Sequence, residues 1–222
     1  MNRAKLGYSV TPLSRGPVRG LHIASGFGLA KIVESLLELG DNDPNIRDHR
    51  GDTPLSWAAS NGHENVARNL LNHHGINANL QNSRGWTPLA QAAAHGHAAV
   101  VKALLQRKEL EINTRDMYYG ETPLWRAADR GHKGVVELLL SHPRTDVNSR
   151  DMHFGHTPLW RAVENGHVEV LSLLLERPGV DRNVSDNYGQ TLLQRVIEKG
   201  DSIVLQLLLE RPPRLDDGKH PE

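Results

Sequence analysis

Residues 120–127 read GETPLWRA and residues 155–162 read GHTPLWRA, 35 positions apart with one letter changed. Aligning the Thr of each such segment extends the pattern in both directions, to Thr53, Thr87, Thr122, Thr157 and Thr191, spaced 34, 35, 35 and 34. A leucine pair follows each Thr at a fixed distance, as Leu70-Leu71, Leu104-Leu105, Leu139-Leu140, Leu174-Leu175 and Leu208-Leu209. Projecting backwards finds Leu21 and Leu36-Leu37, which mark a degenerate first copy and give six in all. A period of this length is the signature of stacked units that cannot bury their apolar faces alone.

Each unit has a physical reading. Thr is a good N-cap, and Pro suits the first helical position, where its missing N–H would be unsatisfied anyway, so T-P-L starts a short helix. Gly62, Gly96, Gly131, Gly166 and Gly200 end that helix, because glycine takes the left-handed conformation that closes it. A second helix follows, with apolar residues at helical spacing such as Val168, Val170, Leu171, Leu174 and Leu175. The alanine pairs Ala58-Ala59, Ala92-Ala93 and Ala127-Ala128 permit close approach of neighbouring helices. Between units runs N-x-x-[DN]-x-x-G, as in Asn45…Asp48 and Asn79…Asn82, which reads as a tight turn or hairpin finger.

These residues, summarised as D-x-x-G-x-T-P-L-x-x-A-A-x-x-G-H-x-x-V-V-x-x-L-L, resemble the ankyrin repeat, and the likeness covers nearly all of residues 16–213. The wording of GDTPLSWAASNGHENVARNLL is similar to the ankyrin arrays of filamentous fungi. The resemblance implies an all-α solenoid of stacked helix-turn-helix units with hairpin fingers, a groove lined by fingers and first helices, and protein–protein interaction. The expected organisation is an N-terminal extension over 1–15, repeats over about 16–47, 48–81, 82–115, 116–150, 151–185 and 186–213, and a disordered tail over 214–222. Departures gather at the ends: Arg19-Gly20 replaces Thr-Pro in the first copy, and Val196-Ile197 replaces the Ala pair in the last.

Composition narrows the function classes. Lys+Arg and Asp+Glu number 26 each, so no global field recruits nucleic acid or an anionic membrane. The absence of cysteine excludes disulfides, thiolate nucleophiles and sulfur-ligated metals. No signal-peptide core and no run of ~20 apolar residues is present, so an intracellular protein, cytoplasmic or nuclear, is expected. Several tempting motifs fall in register with the repeat. Arg50-Gly51-Asp52 is a finger tip, Asn183 of the N-V-S sequon is a finger-base asparagine, and Gly26-Phe27-Gly28 belongs to the first copy. His63, His97, His132 and His167 recur one layer apart at ~8–10 Å, too far to share a zinc, and read as structural. Neither a metal nor a cofactor is expected.

The informative feature is an irregularity. From the finger Asp or Asn to the next Thr is five residues in copies two, three and six but six in copies four and five, whose fingers read DMYYGET and DMHFGHT. The same two copies carry Trp-Arg after T-P-L. Trp86, Tyr118, Tyr119, Phe154 and Tyr188 occupy finger positions that loops normally fill with polar residues, and exposed apolar patches mark interaction sites. Along the first helices stand Arg126, Arg161 and Arg195, with Asp129, Glu164 and Glu198 three residues later; Arg130 follows Asp129. Pairs at i,i+3 stabilise a helix by only ~0.2–0.5 kcal/mol, so the arginine ladder reads either as pairs that steady their own helices or as a surface for acidic or planar groups.

The leading expectation is a non-catalytic, monomeric scaffold. Its groove over repeats 3–6 would hold a protein or peptide with apolar and acidic groups, using Tyr118, Tyr119, Phe154 and Tyr188 as anchors and Arg126, Arg161 and Arg195 as carboxylate clamps. Trp125 and Trp160 either pack between finger and helix or join that surface. The alternative is a small-molecule or catalytic groove in which His153 and His156 face Asp129 and Glu164 as acid–base residues between aromatic walls. Nucleic acid and membrane are not expected partners.

Overall fold

The computed structural model describes residues 19–40 and 42–210. The proposed extension over 1–15 and tail over 214–222 lie outside them. Twelve helices occur among the described residues, in six antiparallel pairs: α1 (Gly20–Gly26) with α2 (Ala30–Glu38), α3 (Pro54–Asn61) with α4 (Glu64–Asn72), α5 (Pro88–Ala94) with α6 (Ala98–Leu105), α7 (Pro123–Asp129) with α8 (Lys133–Ser141), α9 (Pro158–Glu164) with α10 (Val168–Glu176), and α11 (Leu192–Lys199) with α12 (Ser202–Leu209). The first helices stack in one layer from α1 to α9, and the second helices in another from α2 to α12.

The T-P-L signal works as the sequence suggests. The hydroxyls of Thr53, Thr87, Thr122, Thr157 and Thr191 accept the backbone N–H three residues on, and in the first four of these helices Pro occupies the first turn. Between the layers, Ala58, Ala59, Ala92, Ala93, Ala127 and Ala128 are fully buried together with Leu70, Leu104, Leu139 and Leu174. Small residues let the first helices approach, and the leucines fill the remaining space.

The recurring histidines fasten each layer to the one before. Nε2 of His63, His97, His132 and His167 donates to the carbonyls of Gly26, Ser60, Ala94 and Asp129 respectively, at 2.8–3.1 Å. Such a bond needs the ring to lie directly over the preceding turn. At Gly62, where φ is +75°, a Cβ would stand 2.5 Å from the His97 ring, so glycine is required there twice over. Asp201 replaces His in the last copy, and Gly166 has open space where that ring would sit.

The fingers stack by backbone hydrogen bonds. Ser83, Met117, Met152 and Asn187 donate their N–H groups to the carbonyls of Arg50, Arg84, Tyr119 and Phe154, at 2.7–3.0 Å. At the finger bases, Asn45, Asn79, Asn113 and Asn148 each donate to a carbonyl of the next repeat and accept an N–H from it. The finger row is thus held in register along the array.

Candidate functional site

Each finger turns around one side chain. In the five-residue fingers a single oxygen accepts two N–H groups: Asp48 Oδ1 from Arg50 and Asp52, Asn82 Oδ1 from Arg84 and Trp86, Asp186 Oδ1 from Tyr188 and Gln190, all at 2.8–3.0 Å. The extra residue in the longer fingers turns a third N–H inward, and both carboxylate oxygens are used. Asp116 Oδ1 accepts from Tyr118 and Tyr119 while Oδ2 accepts from Glu121; Asp151 Oδ1 accepts from His153 and Phe154 while Oδ2 accepts from His156. An amide could not accept on both sides, so these fingers require Asp. Burial pushes the Asp116 carboxyl up, but the N–H groups of Tyr119, Tyr118 and Glu121, with the Arg126 charge, outweigh it and hold it below its ordinary value.

The structure corrects the arginine ladder: Arg126 is buried, Arg161 and Arg195 are half-buried, and all three guanidinium groups are paired with carboxylates of the chain itself. Arg126 is 7% exposed and lies between the Trp86 ring, 3.7 Å from its centroid, and two carboxylates, Asp116 Oδ2 at 3.0 Å and Glu121 Oε2 at 2.9 Å. Arg161 binds Asp129 through Nε and Nη2, at 2.8 and 2.5 Å, with its guanidinium 5.1 Å from the Trp125 ring centroid. Arg195 forks onto Glu164 at 2.8 and 2.7 Å. That hydrogen-bonded guanidinium holds Glu164 below the usual carboxylate range.

The ladder therefore runs between layers, not along helices. Arg161 and Arg195 reach 32 and 31 residues back to an acid in the preceding repeat. The equivalent position before Arg126 is Ala94, which offers no charge, so Arg126 turns to the acids of its own finger. Two carboxylates then share one guanidinium. Burial pushes Glu121 up to about 7, against the pull of Arg126 and with the push of Asp116.

The two tryptophans are also internal. Trp125 is 7% exposed and donates Nε1–H to the His156 carbonyl at 2.9 Å; Trp160 is 2% exposed under the His156 ring, stacked at 4.7 Å. Their burial between finger and helix excludes them from the surface. The acid–base arrangement is likewise not formed among the described residues. Asp129 and Glu164 are committed to Arg161 and Arg195, His153 lies exposed against Tyr119 at 5.1 Å, and His156 is sandwiched between Phe154 and Trp160. Burial lowers the His156 pKa, as expected for an imidazole between apolar rings.

What remains on the surface is the row of finger tips. Tyr118, Tyr119, Phe154 and Tyr188 are exposed, and Arg130 is exposed at the end of α7. Trp86 is half-buried beneath Arg126. Sequence reasoning missed the other end of this row. The residue preceding each finger glycine is Arg50, Arg84, Tyr119, Phe154 and Tyr188, two cations followed by three aromatics. Beside the cations, an open pocket of about 650 Å³ lies between fingers and first helices, walled by Trp57, Trp86, Asp52, Gln91 and His95. Aligning finger residues on their glycines is the signal that finds it.

Stacked two-helix units with hydrogen-bonded fingers define a helical-repeat solenoid with an exposed row of finger tips. The sequence matches the family described as Ankyrin repeats (3 copies) over residues 21–116, 75–151 and 144–218, and the chain belongs to that family. Ankyrin repeats generally mediate protein–protein interactions. Among solved structures, EF0377, an ankyrin repeat protein, is similar at 29% identity and a TM-score of 0.78, covering 86% of this chain and 96% of its own. The ankyrin repeat domain of Bcl-3, of the IkappaB protein family, is similar at 27% identity and a TM-score of 0.78, covering 86% and 85%. An ankyrin repeat domain from Acinetobacter baumannii AYE is similar at 26% identity and a TM-score of 0.76, covering 85% and 95%. No curated protein matches the chain significantly. No helix among the described residues is long and apolar enough to cross a membrane.

Proposed function

We propose that the chain is a protein-binding scaffold that holds a partner segment against its fingers over repeats 3–6, with Tyr118, Tyr119, Phe154 and Tyr188 as anchors. One observation carries this reading: aromatic side chains stand exposed at the same finger position in three successive repeats. Burying such rings yields much of the energy of an interface, and their backbones are already fixed by the stacked fingers, so little ordering is needed on binding. Arg126, Arg161 and Arg195 support the surface from beneath and do not touch the partner.

Site-specific cross-linking tests the reading. Photoreactive benzoylphenylalanine replaces Tyr118 or, as a control on the opposite layer, the exposed Glu137 of α8. A defined protein cross-linked from position 118 and not from 137, and lost when Tyr119→Ala and Phe154→Ala are added, is the expected outcome. Cross-linking from 137 alone, or cross-linking from 118 unchanged by the two alanines, would overturn it.

A further inference from the structure

The finger row has two chemically distinct halves. Tyr119, Phe154 and Tyr188 form an apolar half that is continuous with the core, through the Phe154–His156–Trp160 stack. Arg50 and Arg84, both exposed, occupy the same position on fingers two and three. Unlike the arginines of the first helices, neither guanidinium has an ion-pair or hydrogen-bond partner among the described residues, whereas the neighbouring acids are occupied. Asp52 accepts from Asn82 and Gln91, and Asp48 from Trp57 Nε1 and two backbone N–H groups. Two free cations one finger apart, over a pocket whose own carboxylates are satisfied, are complementary to two carboxylates on something else.

We infer that the bound segment is an extended peptide with acidic residues at one end and apolar residues at the other. The acids face Arg50 and Arg84, and the apolar residues face Tyr119, Phe154 and Tyr188. This deepens the protein-binding reading above, extends its footprint from repeats 3–6 to the finger of repeat two, and rests on it. Spacing follows from geometry. Fingers repeat every ~10 Å, and a segment in the extended polyproline II conformation advances ~3.1 Å per residue with three residues per turn, so every third side chain of the segment faces a successive finger. The motif is two acidic positions three apart and then three apolar positions three apart, about 13 residues in all. A nucleic acid carries phosphate along its whole length, whereas the free guanidinium groups of this row stand on only two fingers and Arg126, Arg161 and Arg195 are already neutralised by carboxylates, which disfavours it.

The test is selection from a random 16-residue peptide library displayed on phage. The full chain, its Arg50→Glu/Arg84→Glu variant and its Tyr119→Ala/Phe154→Ala variant serve as baits; all four positions are exposed, and circular dichroism checks their folding. Enriched peptides are expected to carry the acidic pair at one end and the apolar triplet at the other. A synthetic copy of the most enriched peptide is expected to lose about tenfold in affinity to the arginine variant and to bind more weakly in high salt. Peptides that lack the acidic pair and bind the arginine variant equally well, yet fail on the aromatic variant, would overturn this inference while leaving the protein-binding reading intact. Enrichment independent of both pairs, or affinity of the arginines for a single-stranded oligonucleotide in place of any peptide, would overturn both.

Discussion

Asp151 shows how one residue sets the shape of a finger. Its two oxygens accept three N–H groups, from His153, Phe154 and His156, and the finger therefore holds one more residue than its neighbours. Asp186 accepts two N–H groups on one oxygen only, the arrangement that Asn82 achieves with an amide. Asp151→Asn is expected to cost about 1–3 kcal/mol in urea unfolding, because an NH2 group would face an inward N–H, while Asp186→Asn stays within about 0.5 kcal/mol. Equal effects at the two sites would contradict this. Much at this scale was legible beforehand: the threonine caps, closing glycines and recurring histidines act as their types and offsets imply. The arginines' partners were not legible, because the same-helix acids Asp129, Glu164 and Glu198 pair too weakly to explain them and the acids that hold Arg161 and Arg195 come close only when the repeats stack. Of these same-helix pairs only Arg195–Glu198 forms, at 3.8 Å; the shorter contacts of Arg161 and Arg195 come from acids 32 and 31 residues back, one repeat less three.

At the scale of elements, the period revealed helix pairs and finger register, since every layer repeats the same offsets. It did not reveal how unevenly the layers are joined. Repeats two to five carry the histidine lock, but the sixth has Asp201 in its place and a more exposed α11, with only Leu192 and Val196 buried. Its ties to α9 are the Arg195 fork on Glu164 and the bond from Lys199 Nζ to the Glu164 carbonyl. In a solenoid each unit is stabilised by its neighbour's interface, so loss of these ties acts locally. Arg195→Ala is expected to lower hydrogen-exchange protection across residues 192–209 and leave α3 to α8 unchanged. A uniform loss of protection along the array would contradict it.

Across the whole molecule, one repeated unit is put to two uses. Beneath the surface, Trp-Arg in repeats four and five stitches layers together: Arg126 lies over Trp86, and Arg161 near Trp125, each contact crossing to the repeat before. On the surface, the same period lines up finger tips into a row that changes from cationic to aromatic. The aromatic half could be read from sequence because rings in loops are conspicuous. The cationic half could not, because Arg50 and Arg84 stand in two otherwise regular repeats and exposed arginines are common; their distinction is to lack partners, which only the fold displays.

Urea unfolding of Arg126→Ala beside Tyr119→Ala tests this division between buried stitching and exposed finger tips most directly. Removing Arg126 leaves Asp116 and Glu121 buried without their counter-charge, and a loss of about 3 kcal/mol is expected, against less than about 0.5 kcal/mol for Tyr119→Ala. Arg126→Ala as stable as the parent chain, with Tyr119→Ala strongly destabilised, would reverse the two roles and contradict the division.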